Sequence, residues 1–193
     1  MAIWGTLMCE TNRNQQSHIP CKSKTLQPSR FVCKYACLIA SNASNLPILD
    51  APCGSGRNVV PFLELGSQVI CADRDISLLH TTIAGRGSPL VVPQEIDLVE
   101  GRWPYRDGTI GGIINVHFYH PAMLPRFSSA LKPAGYLLLE TISGRGGNHL
   151  ELPKSGEVRQ TLGNLFEFGV YEETAVGPPE YGAVTLKLLG RKL

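Results

Sequence analysis

The chain has 193 residues, of which 43% are hydrophobic and 18% are charged, and its formal net charge is +2. This composition is typical of a folded protein and excludes a disordered one, and the length suits one α/β domain with little room for a second core. The near balance of charges argues against a general nucleic-acid binder, and no apolar run approaches the roughly 20 residues that a membrane-spanning helix needs.

Residues 1–28 are predicted to form an irregular N-terminal arm, and residues 29–193 a single domain. The arm and the first residues after it contain one acidic residue and five cationic ones, which are Arg13, Lys22, Lys24, Arg30 and Lys34. Such an arm can bind phosphates or another anion, and a solvated leader is the favoured alternative. Its first apolar residues form too short a run for a secretory signal.

The cysteines give a prediction about the redox compartment. Of the six in the chain, Cys53 belongs to a glycine-rich loop and Cys71 to an apolar, strand-like run. Neither position is typical of a disulfide framework. We therefore predict reduced thiols and a cytoplasmic location.

Helices and strands alternate after the arm. Apolar residues at helical spacing, with Ser29 as a capping residue, predict a first helix that ends within 41–45. The elements predicted after it are strands over 46–50, 68–72, 90–96, 110–116, 136–141, 166–175 and 183–191, helices over 58–65, 75–84, 123–131 and 154–165, and a turn over 132–135. This order predicts an α/β fold with a doubly wound, mostly parallel seven-stranded sheet, helices on both faces and an antiparallel C-terminal strand pair.

A glycine-rich turn joins the first predicted strand to the following helix. It reads Asp-Ala-Pro-Cys-Gly-Ser-Gly-Arg-Asn from Asp50 to Asn58. Gly54 and Gly56 allow a sharp bend and a close approach of ligand to backbone, and the helix offers free amides at its N-terminus. These amides can hold a carboxylate of an amino-acid-bearing cofactor, while Asp50 can attract its ammonium or sulfonium group.

A second acid stands where the next strand ends. Asp73 can accept hydrogen bonds from two ribose hydroxyls, a charge-assisted interaction worth about 1.5–3 kcal/mol. Ligands of such sheets bind at the carboxyl ends of the strands, near the point where the strand order reverses. The glycine turn and Asp73 together therefore predict a nucleoside-bearing ligand at that edge.

The segment 48–58 resembles motif I of class I S-adenosylmethionine-dependent methyltransferases, in which Asp-x-x-Cys-Gly-x-Gly is a common form. Pro52 stands where many members have a first glycine. The resemblance covers about residues 31–193, is nearest to the small tellurite-resistance-like group, and implies a Rossmann-like fold. It also implies methyl transfer, with S-adenosyl-L-methionine as cofactor and S-adenosyl-L-homocysteine as product.

The resemblance assigns residues to the cofactor one by one. Asp73 matches the acid that binds the ribose, Asp97 and Leu98 resemble the pair at the adenine, and Asn115 begins a segment like the family's motif IV. The complete predicted cofactor set is Asp50, Ala51, Pro52, Cys53, Gly54, Gly56, Arg57, Asn58, Asp73, Arg74, Asp97, Leu98, Asn115 and Val116.

No pattern in the sequence identifies the methyl acceptor. His117, at the end of the fourth strand, is a candidate general base, and a packing role is as open. The candidate substrate residues are His117, Tyr119, His120, Arg145 and Asn148. No metal is predicted, because the two histidines lack a third ligand at suitable spacing.

Several functional alternatives stay open. A small molecule is the expected acceptor, because the chain has no obvious recognition domain. RNA or protein methylation through the basic arm, and a non-catalytic cofactor-binding partner subunit, are the alternatives. A nicotinamide-dependent oxidoreductase is disfavoured, because Val59 stands where the dinucleotide fingerprint requires its third glycine. No membrane partner is expected, and the sequence does not define an oligomeric state.

Overall fold

The computed structural model describes residues 27–83, 88–141 and 151–193. Almost all of the predicted arm, and the candidate substrate residues Arg145 and Asn148, lie outside these ranges. The helices are α1 (Arg30–Asn42), α2 (Val60–Glu64), α3 (Ser77–Thr82), α4 (Met123–Ala130) and α5 (Glu157–Leu162), with a short 3₁₀ helix at Pro179–Tyr181. The strands are β1 (Ile48–Asp50), β2 (Val69–Asp73), β3 (Val91–Glu95), β4 (Ile110–Val116), β5 (Leu131–Glu140), β6 (Phe166–Ala175) and β7 (Val184–Lys192).

The strands form one sheet in the order β3-β2-β1-β4-β5-β7-β6. β1 pairs in parallel with β2 on one side and β4 on the other, and β7 runs antiparallel to both of its neighbours. The predicted doubly wound sheet with an antiparallel C-terminal pair is confirmed. Because the strand order reverses beside β1, the loop after this strand lies at the usual ligand position of such sheets.

An apolar cluster covers each face of the sheet. α1 packs on one face through side chains such as Val32 and Ile39, and α4 packs on the other through Phe127. Every residue of β4 is buried, as expected for a strand covered on both sides. Gly111 permits the close approach of α1, since a Cβ there would stand 2.7 Å from the carbonyl oxygen of Ala43.

Side-chain caps position the starts of two helices. The Ser29 hydroxyl oxygen accepts a hydrogen bond from the Phe31 amide (3.1 Å), which confirms the predicted cap of α1. The Asp75 carboxylate accepts one from the Ser77 amide (2.9 Å), so α3 begins two residues after the predicted start.

Two other helices are shorter than predicted. The predicted helix 58–65 loses its first residues because the Val59 amide closes a turn onto the glycine loop. The predicted helix 154–165 begins only at residue 157. Lys154 instead forms an isolated bridge to Ala183, just before β7, and Gly156 takes the left-handed conformation (φ 78°), which an α-helix does not accommodate.

The predicted turn over 132–135 lies within β5 instead of preceding it. Leu131 already pairs with β4, and Tyr136 pairs with a β4 residue only two positions further along. The four residues between them bulge from the ladder, with Ala134 at a positive φ of 59°. The sequence therefore predicted the turn, but it did not predict that β5 begins before it.

Pro93 lies where a proline is tolerated. It belongs to β3, which pairs with β2 alone and so forms an edge of the sheet. A proline on an edge strand can leave its missing amide on the unpaired side. None of the helices in the three described ranges is long and apolar enough to cross a membrane.

Glu173 of β6 holds the segment that leads into α5. Its carboxylate accepts hydrogen bonds from the Gly156 amide (3.0 and 3.1 Å), the Ser155 hydroxyl (3.0 Å) and the Tyr171 hydroxyl (2.6 Å). Burial raises the pKa of Glu173, but these hydrogen bonds outweigh it, so the pKa lies below its ordinary value of 4.5.

Glu173→Gln is expected to lower the free energy of unfolding by about 1 kcal/mol at pH 7, because the amide replaces a charged acceptor on a partly exposed site. A carboxyl whose pKa is lowered by folding stabilises the fold above its unfolded pKa, and the stabilisation is lost as pH falls through the folded value. The difference between the two proteins should therefore shrink progressively as the pH falls below 4.5. Urea unfolding at several pH values measures it, with the neighbouring exposed Glu172→Gln as control. An equal loss in both variants would refute the assignment.

Candidate functional site

The loop after β1 is fastened to both neighbouring strands. The Ala51 amide donates a hydrogen bond to the carbonyl of Ile114 in β4 (3.0 Å). The Cys53 amide donates one to the carbonyl of Ala72 in β2 (3.0 Å). The loop therefore continues the sheet on both sides before it turns into α2, and these backbone hydrogen bonds define its conformation.

Asp73 holds the glycine turn from the end of β2. One carboxylate oxygen accepts a hydrogen bond from the Gly54 amide (2.8 Å), and the other accepts a longer one from the Asp75 amide (3.3 Å). Gly54 and Gly56 both have positive φ values, 50° and 74°, as the predicted sharp bend requires. Asp73 thus has a structural role that the sequence did not reveal, beside its predicted role toward a ribose.

Two cavities open on this loop. The larger, about 560 Å³, is bounded by Pro52, Asp73, Arg74, Asp97, Leu98 and Phe118, among others. The smaller, about 240 Å³, is bounded by Cys53, Gly54, Arg57, Asn58, Val116 and His117, again with Pro52 and Asp73. Because they share these last two residues, the cavities adjoin at the loop.

The predicted adenine pair lies on a well-ordered turn. The Asp97 carboxylate accepts hydrogen bonds from the amides of Val99 and Glu100, both 2.9 Å, and these bonds lower the pKa of Asp97. The Arg126 guanidinium donates to the carbonyls of Leu98 (2.5 Å) and Val99 (3.1 Å). The wall of the larger cavity is therefore fixed by its own backbone contacts.

Asp50 and Asn115 lie beneath the loop and bound neither of these two cavities. The Asn115 side-chain amide donates to the Ala51 carbonyl (2.7 Å), so Asn115 and Ala51 support the loop from below. Both carboxyl oxygens of Asp50 and the side-chain oxygen of Asn115 have no hydrogen-bond partner among the described residues. Burial, and then the charge of Asp73, raise the pKa of Asp50 to about 8, while Arg57 acts in the opposite direction.

His117 stands at the mouth of the smaller cavity with a positive φ of 65°. An Arg57 guanidinium nitrogen lies 3.2 Å from each of its ring nitrogens. Burial and the Arg57 charge lower the pKa of His117, while Glu140 acts to raise it. The imidazole is therefore neutral at neutral pH, and its unprotonated ring nitrogen accepts a hydrogen bond from Arg57.

Tyr119 and His120 bound neither of these two cavities. Tyr119 packs in the apolar cluster that contains α4. The Tyr119 hydroxyl and one ring nitrogen of His120 are buried without a hydrogen-bond partner in the described part of the chain. Instead of these two residues, Phe118 and Glu151 bound the larger cavity. Phe118 could have been predicted, because it lies beside His117 in the segment that resembles motif IV. No feature of the sequence indicated Glu151.

Glu140 is a buried acid that the sequence analysis missed. It ends β5, accepts a hydrogen bond from the Ser29 hydroxyl, and lies 4.0 Å from the Lys187 ammonium. The Ser29 amide in turn donates to the Asn58 side-chain oxygen (2.9 Å). Asp50, Asp73 and Glu140 all end apolar strands, and this shared pattern was the signal that could have found it.

The described residues contain no cluster of three or more histidine, cysteine or acidic side chains that could hold a metal ion. The four cysteines among them, Cys33, Cys37, Cys53 and Cys71, are free thiols.

No protein-family model matches the chain, and no curated protein matches it in sequence. Solved structures do match its fold. The 1,6-didemethyltoxoflavin-N1-methyltransferase of Burkholderia thailandensis, solved with 1,6-didemethyltoxoflavin and S-adenosylhomocysteine bound, is 21% identical with a TM-score of 0.59, and the match covers 84% of this chain and 78% of that one.

Two further structures match at similar levels. TehB of Haemophilus influenzae is 19% identical with a TM-score of 0.61, and the match covers 84% of this chain but only 61% of TehB. A SAM-dependent methyltransferase of Aquifex aeolicus is 16% identical with a TM-score of 0.62, and the match covers 88% and 96% of the two chains. These similarities confirm the predicted Rossmann-like fold.

The two loop glycines should differ in their tolerance of a side chain. A Cβ at Gly56 would stand 2.6 and 2.7 Å from the buried side chains of Leu79 and Ile83, whereas one at Gly54 would meet nothing within 4 Å. Both substitutions strain a positive φ by about 1 kcal/mol, and Gly56→Ala adds an overpacking cost of about 1–3 kcal/mol. Chemical denaturation should therefore rank Gly56→Ala below Gly54→Ala. The reverse order would show that this packing is wrong.

Proposed function

We propose that the chain is an S-adenosylmethionine-dependent methyltransferase that acts on a small-molecule acceptor. One observation carries the proposal: the glycine turn after β1 is held by Asp73 at the point where the strand order reverses, between two adjoining cavities. This is the position at which sheets of this type bind ligands.

The residues around the two cavities fit the two ends of this cofactor. Asp73 and Asp97 offer carboxylates on the larger cavity, where a nucleoside can donate hydrogen bonds. Arg57 and Asn58 offer polar groups on the smaller cavity, where an amino-acid end can bind. The unpaired carboxyl of Asp50 beneath the loop fits a nearby cation, since a buried polar group without a partner is costly.

The chemistry requires little of the protein beyond orientation. When bound, the cofactor supplies a methyl group on a positively charged sulfur, which already activates that methyl for attack. Hydrogen bonds to backbone amides fix the loop after β1 and the Asp97 turn, which form walls of the two cavities. The reacting groups can therefore meet in one geometry. His117 is the proposed general base, because it is neutral, exposed and bounds the smaller cavity. Its unprotonated nitrogen can accept a proton from a hydroxyl or ammonium acceptor that displaces Arg57 from it.

The cavity volumes fit the proposed cofactor, since the two cavities together fall within the range of about 300–1,000 Å³ that small-molecule sites occupy. The support for a small acceptor comes from a structural neighbour. The Burkholderia enzyme, by its name, methylates a small heterocycle. A cytoplasmic location is part of the proposal, because the free thiols of the described residues suit a reducing compartment.

Parallel calorimetric titrations test the proposal. S-adenosylmethionine and S-adenosylhomocysteine are each titrated into the full chain, beside NAD as the cofactor of the competing fold class. Micromolar binding of the first two without binding of NAD is the expected result. Binding of NAD alone, or of none of the three, would overturn the proposal.

The proposed ribose contact predicts a specific loss of affinity. Asp73→Asn keeps a side-chain oxygen that can accept the Gly54 hydrogen bond but removes the charge that strengthens bonds from ribose hydroxyls. The affinity for S-adenosylhomocysteine should fall by about tenfold to a hundredfold, with the loop still folded. Glu95→Gln is the matched control, because Glu95 pairs with Asp73 in register and bounds neither of the two cavities. Equal affinities for wild type and Asp73→Asn would exclude the ribose assignment.

A further inference from the structure

The carboxyl group of Asp50 is fully buried and unpaired. Its register partners are Cys71 in β2 and Ile114 in β4, so the side chain lies on the same face of the sheet as these two. Asp50 has no exposed surface, and neither oxygen has a hydrogen-bond donor among the described residues. A carboxylate in such a place would be both desolvated and unpaired, which is strongly unfavourable.

The charges around Asp50 do not compensate for this burial. Asp73, at the end of β2, is a like charge and disfavours ionisation. Arg57, in the loop, favours ionisation, but its guanidinium is directed at His117. The thiols of Cys53 and Cys71 lie nearby, and Cys71 is uncharged because Cys53, burial and Asp50 all raise its pKa. The pKa of Asp50 is accordingly raised to about 8, first by burial.

The charges that shift the pKa of Asp50 are those of Asp73 and Arg57. α1 contributes apolar side chains such as Val32 and Ile39, and β4 contributes Ile114. Glu140 ends β5 on the same face, but its carboxylate accepts a hydrogen bond from the Ser29 hydroxyl and lies near the Lys187 ammonium. A positive charge that enters the smaller cavity would therefore favour ionisation of the Asp50 carboxyl.

Residues close to Asp50 bound the smaller cavity. They include Val116, two residues beyond Ile114 on the same face of β4, and Cys53 in the loop. Arg57 also bounds this cavity, and its charge already acts on the pKa of Asp50. A second positive charge in the cavity would act on the buried carboxyl in the same direction, and charges interact more strongly inside a protein than in water.

We infer that Asp50 is uncharged in the free protein and releases its proton to solvent when a ligand bearing an ammonium group occupies the smaller cavity. The O–H bond of the carboxyl breaks, the proton passes to the buffer, and the carboxylate remains facing the ammonium. The inference rests on the proposed function, which supplies a ligand with such a group. Asp50 is on this account a positioning residue whose charge appears only on binding.

Proton release makes binding dependent on pH with a defined sign. Because the ligand favours the ionised carboxyl, affinity rises with pH while free Asp50 is protonated. The dissociation constant should fall by up to about tenfold per unit between pH 6 and pH 8 and should then level off, because the free carboxyl is already ionised above its pKa.

Calorimetry counts the proton directly. S-adenosylhomocysteine is titrated into the full chain at pH 7 in phosphate and in Tris, whose ionisation enthalpies differ. The difference in binding enthalpy should correspond to the release of most of one proton, because the pKa of Asp50 in the free protein, about 8, lies above the pH of the buffers. Asp50→Asn should release none, and 5′-methylthioadenosine, which lacks the amino-acid end, should bind the wild type without releasing a proton. His117→Gln should still release it, since the His117 imidazole is already neutral at this pH.

The outcomes separate this inference from the function on which it rests. Binding of S-adenosylhomocysteine with no proton release, or with equal release by 5′-methylthioadenosine, overturns the role of Asp50 and leaves the methyltransferase proposal intact. Release that persists in Asp50→Asn or disappears in His117→Gln assigns the proton to another group and also overturns it. Failure of every ligand to bind overturns both proposals. The wild-type measurements suffice if Asp50→Asn does not fold.

Discussion

The hydrogen bond between the Gly54 amide and the Asp73 carboxylate is the contact on which the site depends. It is 2.8 Å long and joins the turn after β1 to the end of β2. Without it the glycine turn would lack its support on that side, and the two cavities, which share Asp73, would lose their common wall. A single carboxylate therefore sets the backbone of the site and also presents its charge to a ligand.

Much of the fold followed from periodicity and turn chemistry. β4 was predicted with its observed ends, because an uninterrupted apolar run between polar turns leaves little choice of register. The glycine loop was recognised because Gly54 and Gly56 stand between a buried strand and a helix, and both take the positive φ that the turn requires. The start of β5 was missed, because its first residue pairs with β4 across a bulge that only the folded neighbour defines.

The site was predicted less completely, for physical reasons. Residues near one another in sequence, such as Arg57 and Asn58, were correctly placed together around the loop. Contacts between distant elements left no local pattern: Arg57 beside His117, or Ser29 bonded to Glu140. Tyr119 follows His117 by two residues, yet it is partly buried against the apolar cluster that contains α4, because the chain turns toward that helix after β4. The roles of all these residues toward a cofactor stay predictions.

The two hydrogen bonds of Ser29 affect how this part of the protein unfolds locally. Its amide is bonded to Asn58 in the glycine loop, and its hydroxyl to Glu140 at the end of β5, so the first turn of α1 shares contacts with both. Segments linked in this way open as one cooperative unit during native-state fluctuations. Amide protons at the start of α1 and in the glycine loop should then exchange with deuterium at a common rate, and a ligand that slows one group should slow the other.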